Sequence, residues 1–184
     1  MPAFPDSYRY RFCLLVLVCL TSLVQTAHAD LSEYQIKAAM IYNMTRFMDW
    51  PDDALSPSAT QFTICVAGKG GLGSAVSSLQ GKQVKGKTVT IHQATLTNGT
   101  PICQVLVLSD LDKIATTGLL ERTRSSAVVT VADSPGFARS GGTVGFVLHN
   151  GKVRFEINQA AAQRHRIRIS AQLLKLAQIV QEAP

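Results

Sequence analysis

The chain has 184 residues, with 18 Lys and Arg against 12 Asp and Glu, a formal net charge of +6, and 46% hydrophobic residues. This balance excludes a fibrous, disordered or low-complexity chain, and the length suits one ordinary domain. The basic residues are scattered and form no long block, so we expect no nucleic-acid partner. Only 16% of the residues are charged, which favours a surface that a partner covers in part.

The N-terminal segment has the features of a secretory leader. Arg9 and Arg11 precede a short apolar run, and an Ala-His-Ala sequence that ends at Ala29 supplies the small residues of a cleavage point. The apolar run is shorter than a membrane span. We therefore predict a signal peptide over residues 1–29, a mature domain over residues 30–184, and a periplasmic location.

Two cysteines, Cys65 and Cys103, remain once the leader is removed. In an oxidising compartment a lone pair of cysteines normally forms a disulfide. A loop of this length gives about 4 kcal/mol of stabilisation in the chain-entropy model. We interpret the pair as a structural disulfide, with a redox-responsive bond as the alternative. Metal ligation is not expected, because no nearby histidine completes a ligand set.

Apolar periodicity and turn residues predict alternating helices and strands. The apolar pattern from Leu31 through Met48 predicts a first helix of about four turns, with Ser32 as its N-cap and Pro51 beyond its end. A turn is predicted around Asn98-Gly99. The predicted strands are 61–67, 87–92, 103–108, 127–132, 143–149 and 152–157, and the further predicted helices are 74–79, 110–122, 158–164 and 170–180.

The order of these elements predicts an α/β fold, a three-layer sandwich with a mostly parallel central sheet. Continuously apolar strands separated by helices are typical of a parallel sheet covered on both faces. The Asn150-Gly151 hairpin adds an antiparallel edge. If strand 61–67 lies beside strand 103–108, the two cysteines become neighbours that can be bridged.

Residues 68–73 (GKGGLG) satisfy the pattern G-x-G-x-x-G between a predicted strand and a predicted helix. A dinucleotide site also needs an acidic residue about 20 positions further on for the ribose. The sequence has no Asp or Glu between Asp53 and Asp110. We therefore interpret the glycines as a tight β-to-α turn or a small-anion nest, and we expect no cofactor.

The densest basic cluster contains Arg164, His165, Arg166 and Arg168. If this stretch is extended, alternation places the three guanidinium groups on one side, a geometry that suits a phosphate or carboxylate. We predict a small anionic ligand here, with a solvated connection between two helices as the alternative.

The remaining candidates do not indicate catalysis. His92, His149 and His165 lie in none of the recognised catalytic or metal-binding motifs, so we predict neither an enzyme nor a metal site. Trp50, the only tryptophan, follows the first helix and is expected in the core or in a pocket wall.

Several segments occur together in the order of a known family. They are EYQIKAA (33–39) with Tyr42-Asn43, Phe47 and Trp50-Pro51, then FTICVAG (62–68), CQVL (103–106), Gly141-Gly142 and VRFEIN (153–158). Together they resemble the YfiR family of periplasmic regulators over about residues 32–178. Some members have a second cysteine pair, which this sequence lacks.

The resemblance implies an exported α/β protein that represses an inner-membrane diguanylate cyclase by binding its periplasmic part. An outer-membrane lipoprotein can draw such a repressor away. We therefore expect a non-catalytic regulator that restrains cyclic di-GMP synthesis, with Phe47 and Trp50 as partner-contacting or structural residues. The low content of charged residues separately predicts a homodimer. The alternative is a periplasmic module that binds a nucleotide or another small anion.

Overall fold

The computed structural model describes residues 32–94 and 102–183. The predicted leader with its cleavage after Ala29 and the predicted turn at Asn98-Gly99 lie outside the described residues. Within these residues, none of the helices is long and apolar enough to span a membrane.

Helices and strands alternate along most of the chain. The helices are α1 (Glu33–Thr45), α2 (Gly71–Val76), α3 (Lys113–Thr123), α4 (Gln159–Arg164) and α5 (Ala171–Leu174). The strands are β1 (Met48–Asp49), β2 (Gln61–Gly68), β3 (Gln83–Val84), β4 (Lys87–Gln93), β5 (Val105–Ser109), β6 (Val129–Ala132), β7 (Val144–His149), β8 (Lys152–Asn158), β9 (Arg168–Ile169) and β10 (Gln178–Val180).

Eight strands form one sheet in the order β10-β8-β7-β6-β5-β2-β4-β3. The pairs from β4 through β7 are parallel, as is the pair of β8 with β10. The β3–β4 and β7–β8 pairs are antiparallel, and β1 pairs antiparallel with β9 in a separate ribbon. The predicted α/β class with a mostly parallel sheet is confirmed.

Both faces of the sheet are covered by helices. Ile64 and Val66 of β2 belong to the same apolar cluster as Ile41 of α1. Cys65, which alternates with them along the strand, belongs to a second cluster that contains Leu119 of α3. Because successive side chains of a strand point to opposite faces, the helices form two outer layers around the sheet.

The first helix begins as the sequence predicts and ends earlier. The Ser32 hydroxyl accepts a bond from the Gln35 amide, and the Ser32 amide donates to the Gln35 side chain at 2.9 Å, which completes a capping box. The helix stops at Thr45, so its predicted extension through Met48 is wrong. Met48 instead pairs with Ile169, because ribbon hydrogen bonds replace another turn of helix.

The β7–β8 hairpin turns at the two residues that the sequence singles out. Asn150 has φ 50° and Gly151 has φ 69°, the left-handed pair that a tight two-residue hairpin needs. The hairpin is not the edge of the sheet, because β10 pairs with the outer side of β8 and is itself the edge strand.

The predicted helix over 170–180 is wrong in its second half. Helix α5 ends at Leu174, and Gln178 and Val180 pair with Glu156 and Asn158 of β8. The free edge of β8 has backbone groups that need partners, and this long-range pairing overrides the helical pattern of the local sequence.

Candidate functional site

Cys65 and Cys103 form a disulfide, which confirms the predicted pairing. Their Cα atoms lie 5.8 Å apart at a sequence separation of 38. Strands β2 and β5 are parallel neighbours, and Cys65 lies opposite Leu106, so it is close to Cys103, which lies two residues before β5 begins. Both cysteines are buried, which shields the bond from thiol reagents and favours its structural role.

Trp50 is a core residue next to this disulfide-linked region. Its side chain is 7% exposed, and its ring meets the Phe62 ring edge-on with centroids 5.1 Å apart. The indole Nε1 donates to the backbone carbonyl of Gln104 at 2.9 Å. The ring is packed and the N–H is hydrogen-bonded inside the fold. This geometry supports the structural role that was one of the two expected for Trp50.

Gln104 is a buried polar residue that sequence reasoning missed. Its side-chain oxygen accepts from the Thr63 amide at 2.7 Å, and its side-chain nitrogen donates to the Ala54 carbonyl at 2.7 Å. These bonds tie the segment after Trp50 to strand β2. Glutamine is usually exposed, so no local signal marks this residue as a core link.

Phe47 differs sharply from Trp50, although only two residues separate them. Its side chain is 37% exposed, while its backbone carbonyl accepts from the Ser170 amide at 2.9 Å. Phe47 therefore presents an aromatic surface at the end of α1, and its backbone is held in place by the turn that starts α5.

The extended backbone on which the predicted arginine cluster depends is not formed. Arg164 ends helix α4 and pairs with Glu182 at 2.7 Å, whereas Arg166 has φ 57° and pairs with Asp53 at 2.9 Å. Arg168 is exposed at the start of β9. The expectation of an extended stretch is wrong, because Arg164 lies at a helix end and Arg166 has a left-handed backbone. An anion site at these residues stays a prediction, and the extended backbone on which it was based is absent.

His165, the fourth member of that cluster, faces the interior. It is 4% exposed, and its Nδ1 lies 2.7 Å from the Ser126 carbonyl, which can only accept, so Nδ1 carries the proton. Burial lowers the pKa of His165 below 6.5, and the charge of Arg164 adds to this effect, while the bond to Ser126 opposes it. A buried, neutral imidazole is a poor ligand for an anion.

A cleft lies where the connections of the sheet diverge. Strand β2 leads through α2 to β4 on one side, while β5 leads through α3 to β6 on the other. Loops that leave adjacent strands in opposite directions open a crevice beyond the carboxyl ends of the strands, where α/β proteins bind ligands. A cavity of about 480 Å³ occupies this position. We call it the switch-point cleft, lined in part by Tyr34, Gly70, Ser109, Asp110, Asp133 and Ser134.

The glycine-rich turn forms the floor of the switch-point cleft. The buried Ser109 hydroxyl accepts from the Gly73 amide at 2.9 Å, and the Ser109 carbonyl accepts from the Gly70 amide at 3.4 Å. Gly68 has φ 91°, and a Cβ there would collide with the Ser109 carbonyl. A Cβ at Gly71 would collide with the Tyr34 ring. The tight β-to-α turn is therefore confirmed, and its glycines allow this close packing.

The cleft does not have the lining of an anion site. Its described lining residues include Asp110 and Asp133 but no Lys, Arg or His. Helix α2 has only 6 residues, so its dipole is small. The small-anion nest, the second interpretation of the glycine motif, has no support from this geometry.

A buried ion-pair network lies behind the cleft. Lys37 is 4% exposed, and its ammonium contacts Asp133 at 2.8 Å and also pairs with Glu33. Burial alone would lower the pKa of Lys37, but hydrogen bonds and charge attraction from Asp133 and Glu33 outweigh it and raise the pKa above 10.5. The ammonium also lies 5.1 Å from the centre of the Tyr34 ring.

Sequence reasoning missed these cleft residues, although one signal was available. Asp110 follows strand β5 and Asp133 follows strand β6. Carboxyl ends of adjacent parallel strands meet at one edge of a sheet, so acidic residues there are expected to lie close together. Among residues 32–94 and 102–183, no group of three or more His, Cys, Asp or Glu could hold a metal ion.

These features define an α/β protein with a doubly covered, mostly parallel sheet, a buried disulfide and a cleft at its switch point. The family model DUF4154, described as YfiR/HmsC-like, matches residues 34–178. The chain belongs to this family.

Other comparisons add little to that identification. No curated protein matches the chain. Among solved structures, the chain is similar to an ABC domain in complex with L-Trp from Streptococcus pneumonia, at 14% identity and a TM-score of 0.44. The similarity covers 70% of this chain and 58% of that chain.

Proposed function

We propose that the protein is an exported, non-catalytic regulator that binds the periplasmic part of an inner-membrane diguanylate cyclase and restrains cyclic di-GMP synthesis. The observation that carries this proposal is membership of the YfiR/HmsC-like family over residues 34–178. The disulfide between Cys65 and Cys103 supports export, because such bonds persist in oxidising compartments. An outer-membrane lipoprotein that competes for the regulator would release the cyclase.

Repression then works by a shift of populations. A regulator that binds the inactive arrangement of the cyclase more tightly than the active one moves the equilibrium towards the inactive form. A tenfold change in this equilibrium needs a difference in binding free energy of about 1.4 kcal/mol. Such a mechanism requires a contact surface and no catalytic group.

The surface that suits this contact is the β1–β9 ribbon together with Phe47. Phe47 and Arg168 are exposed, and the ribbon register places Arg168 opposite Asp49. Aromatic residues and arginine are enriched at the energetic centres of protein interfaces. We name Phe47, Asp49 and Arg168 the ribbon surface.

A binding measurement with two matched variants tests the contact. The exported protein is titrated with the periplasmic part of the cyclase, and we expect Phe47→Ala to weaken binding about tenfold or more. Ile114→Ala is the control, because Ile114 is an apolar side chain that is 86% exposed on α3. Absence of binding by the unaltered protein contradicts the proposal, and equal losses in both variants contradict the ribbon surface.

Export is tested separately by complementation. A copy without residues 1–29 should fail to restore repression in a deletion strain, because it cannot reach a periplasmic contact. The full chain in the same vector is the control. Full repression by the truncated copy would contradict the periplasmic location.

We also propose that the exported protein is a homodimer, since the low content of charged residues leaves apolar surface for a second copy. Light scattering at micromolar concentration should give the dimer mass. A monomer mass alone would contradict this part of the proposal.

A further inference from the structure

The switch-point cleft has no role in the contact proposed above. The ribbon surface lies beyond the C-terminal end of α1, whereas Tyr34, in the first turn of the same helix, lines the cleft. A volume of about 480 Å³ is within the range of small-molecule sites in proteins. The cleft also occupies the position at which open α/β sheets bind ligands.

The charges of the residues in and behind the cleft indicate which kind of ligand it would bind. Asp110 and Asp133 line it, and Glu33 lies behind it, while the only cation in this group is Lys37. The Lys37 ammonium is buried and engaged by two carboxylates, so it cannot reach a ligand in the cleft. One oxygen of Asp133 is bonded to Lys37, and among the described residues Asp110 makes no ion pair.

Hydroxyl groups and an aromatic wall complete the lining. Thr116 and Ser134 contribute hydroxyls, and Tyr34 contributes the ring that lies against Gly71. The Ser109 hydroxyl is already used as an acceptor by the backbone of α2. Such a lining suits an organic molecule that donates hydrogen bonds, whereas the described residues lack the set of three ligands that a bare metal ion needs.

We propose that the switch-point cleft binds a small organic cation with at least two ammonium groups, of the linear diamine or polyamine class. One ammonium group binds the Asp110 carboxylate, and another binds the free oxygen of Asp133. Charge-assisted hydrogen bonds of this kind are about twice as strong as neutral ones. The site is independent of the proposed contact with the cyclase, because it uses the opposite end of α1.

Calorimetry with spermidine tests the site on the isolated, exported protein. We expect one saturable site that weakens with added salt, because exposed charges are screened. Asp110→Asn should reduce the affinity about tenfold or more, since it removes a charge from one hydrogen-bonded pair. Asparagine tolerates the left-handed backbone of Asp110, at φ 57°, so the turn is preserved.

Asp52→Asn is the matched control, because Asp52 is an exposed aspartate that is not part of the cleft. It removes the same charge and should leave the affinity unchanged. A second variant, Ser134→Lys, places a positive charge in the cleft at an exposed position and should abolish spermidine binding.

The outcomes separate specific binding from general attraction. Loss of affinity in Asp110→Asn and Ser134→Lys, with Asp52→Asn unchanged, supports the proposal. No heat with spermidine, equal weakening in Asp110→Asn and Asp52→Asn, or saturable binding of inorganic phosphate in the cleft would overturn it. None of these results depends on whether the cyclase is the partner.

Discussion

The two ends of the central sheet differ in how their polar groups are satisfied. At the N-terminal end of β5, Trp50, Gln104 and the disulfide form a closed region in which each polar group has a partner inside the fold. At the C-terminal end, Asp110 and Asp133 line an open cleft. Substitutions at the closed end should therefore change stability, whereas substitutions at the cleft should change binding.

The largest effect is expected from Trp50→Ala. The substitution removes a buried ring packed against Phe62 and one of the two donors to the Gln104 carbonyl, whose other donor is the Val129 amide, so we expect a loss of about 3–5 kcal/mol in unfolding free energy. Phe47→Ala is the control and should cost less than about 1 kcal/mol, because Phe47 is partly exposed. Chemical denaturation measures both, and equal losses would contradict the contrast between the two aromatic residues.

Cys65→Ser should lower the unfolding free energy by about 2–5 kcal/mol, because the unfolded chain loses its covalent constraint. The disulfide is checked by the mass shift of the exported protein after alkylation without reductant. Two labelled thiols would show that Cys65 and Cys103 are not bridged.

Gln104→Leu should cost about 1–3 kcal/mol, because it leaves the Thr63 amide and the Ala54 carbonyl without their partners. Gln83→Leu is the matched control, since the amide of Gln83 bonds Thr88 in an exposed position. Thermal unfolding compares the two variants. A larger shift in Gln83→Leu would contradict the structural role of Gln104.

A smaller effect is expected in the pH dependence of the unfolding free energy, through His165. The folded state holds the pKa of His165 below 6.5, so at mildly acidic pH the unfolded state binds more protons than the folded state. The contribution of His165 is fully present above about pH 6.5 and is lost as the pH falls through the lowered pKa. His165→Gln should flatten the fall in unfolding free energy between about pH 7 and pH 5, whereas His149→Gln, at an exposed position, should not. Identical slopes in all three proteins would contradict this assignment.

Local chemistry explains which parts of the fold the sequence predicts correctly. The N-cap at Ser32 and the hairpin turn at Asn150-Gly151 depend on residues within a few positions of each other. The pairing of Cys65 with Cys103 needs only the adjacency of two strands, which parallel α/β topology supplies.

The errors arise where distant segments decide the local conformation. Strand β10 forms because β8 offers a free edge, although its sequence continues a helical pattern. The stretch that carries the three arginines is not extended, because Arg164 ends a helix and Arg166 adopts a left-handed backbone and pairs with Asp53, 113 positions away. The interior role of Gln104 likewise depends on partners that no local pattern identifies.

We propose that this protein restrains a diguanylate cyclase from the periplasm. The most direct measurement is the cellular level of cyclic di-GMP after deletion of the gene, in a strain that retains the cyclase. We predict that the level rises and that a copy of the full chain returns it to the original value. A level that the deletion leaves unchanged would contradict the account.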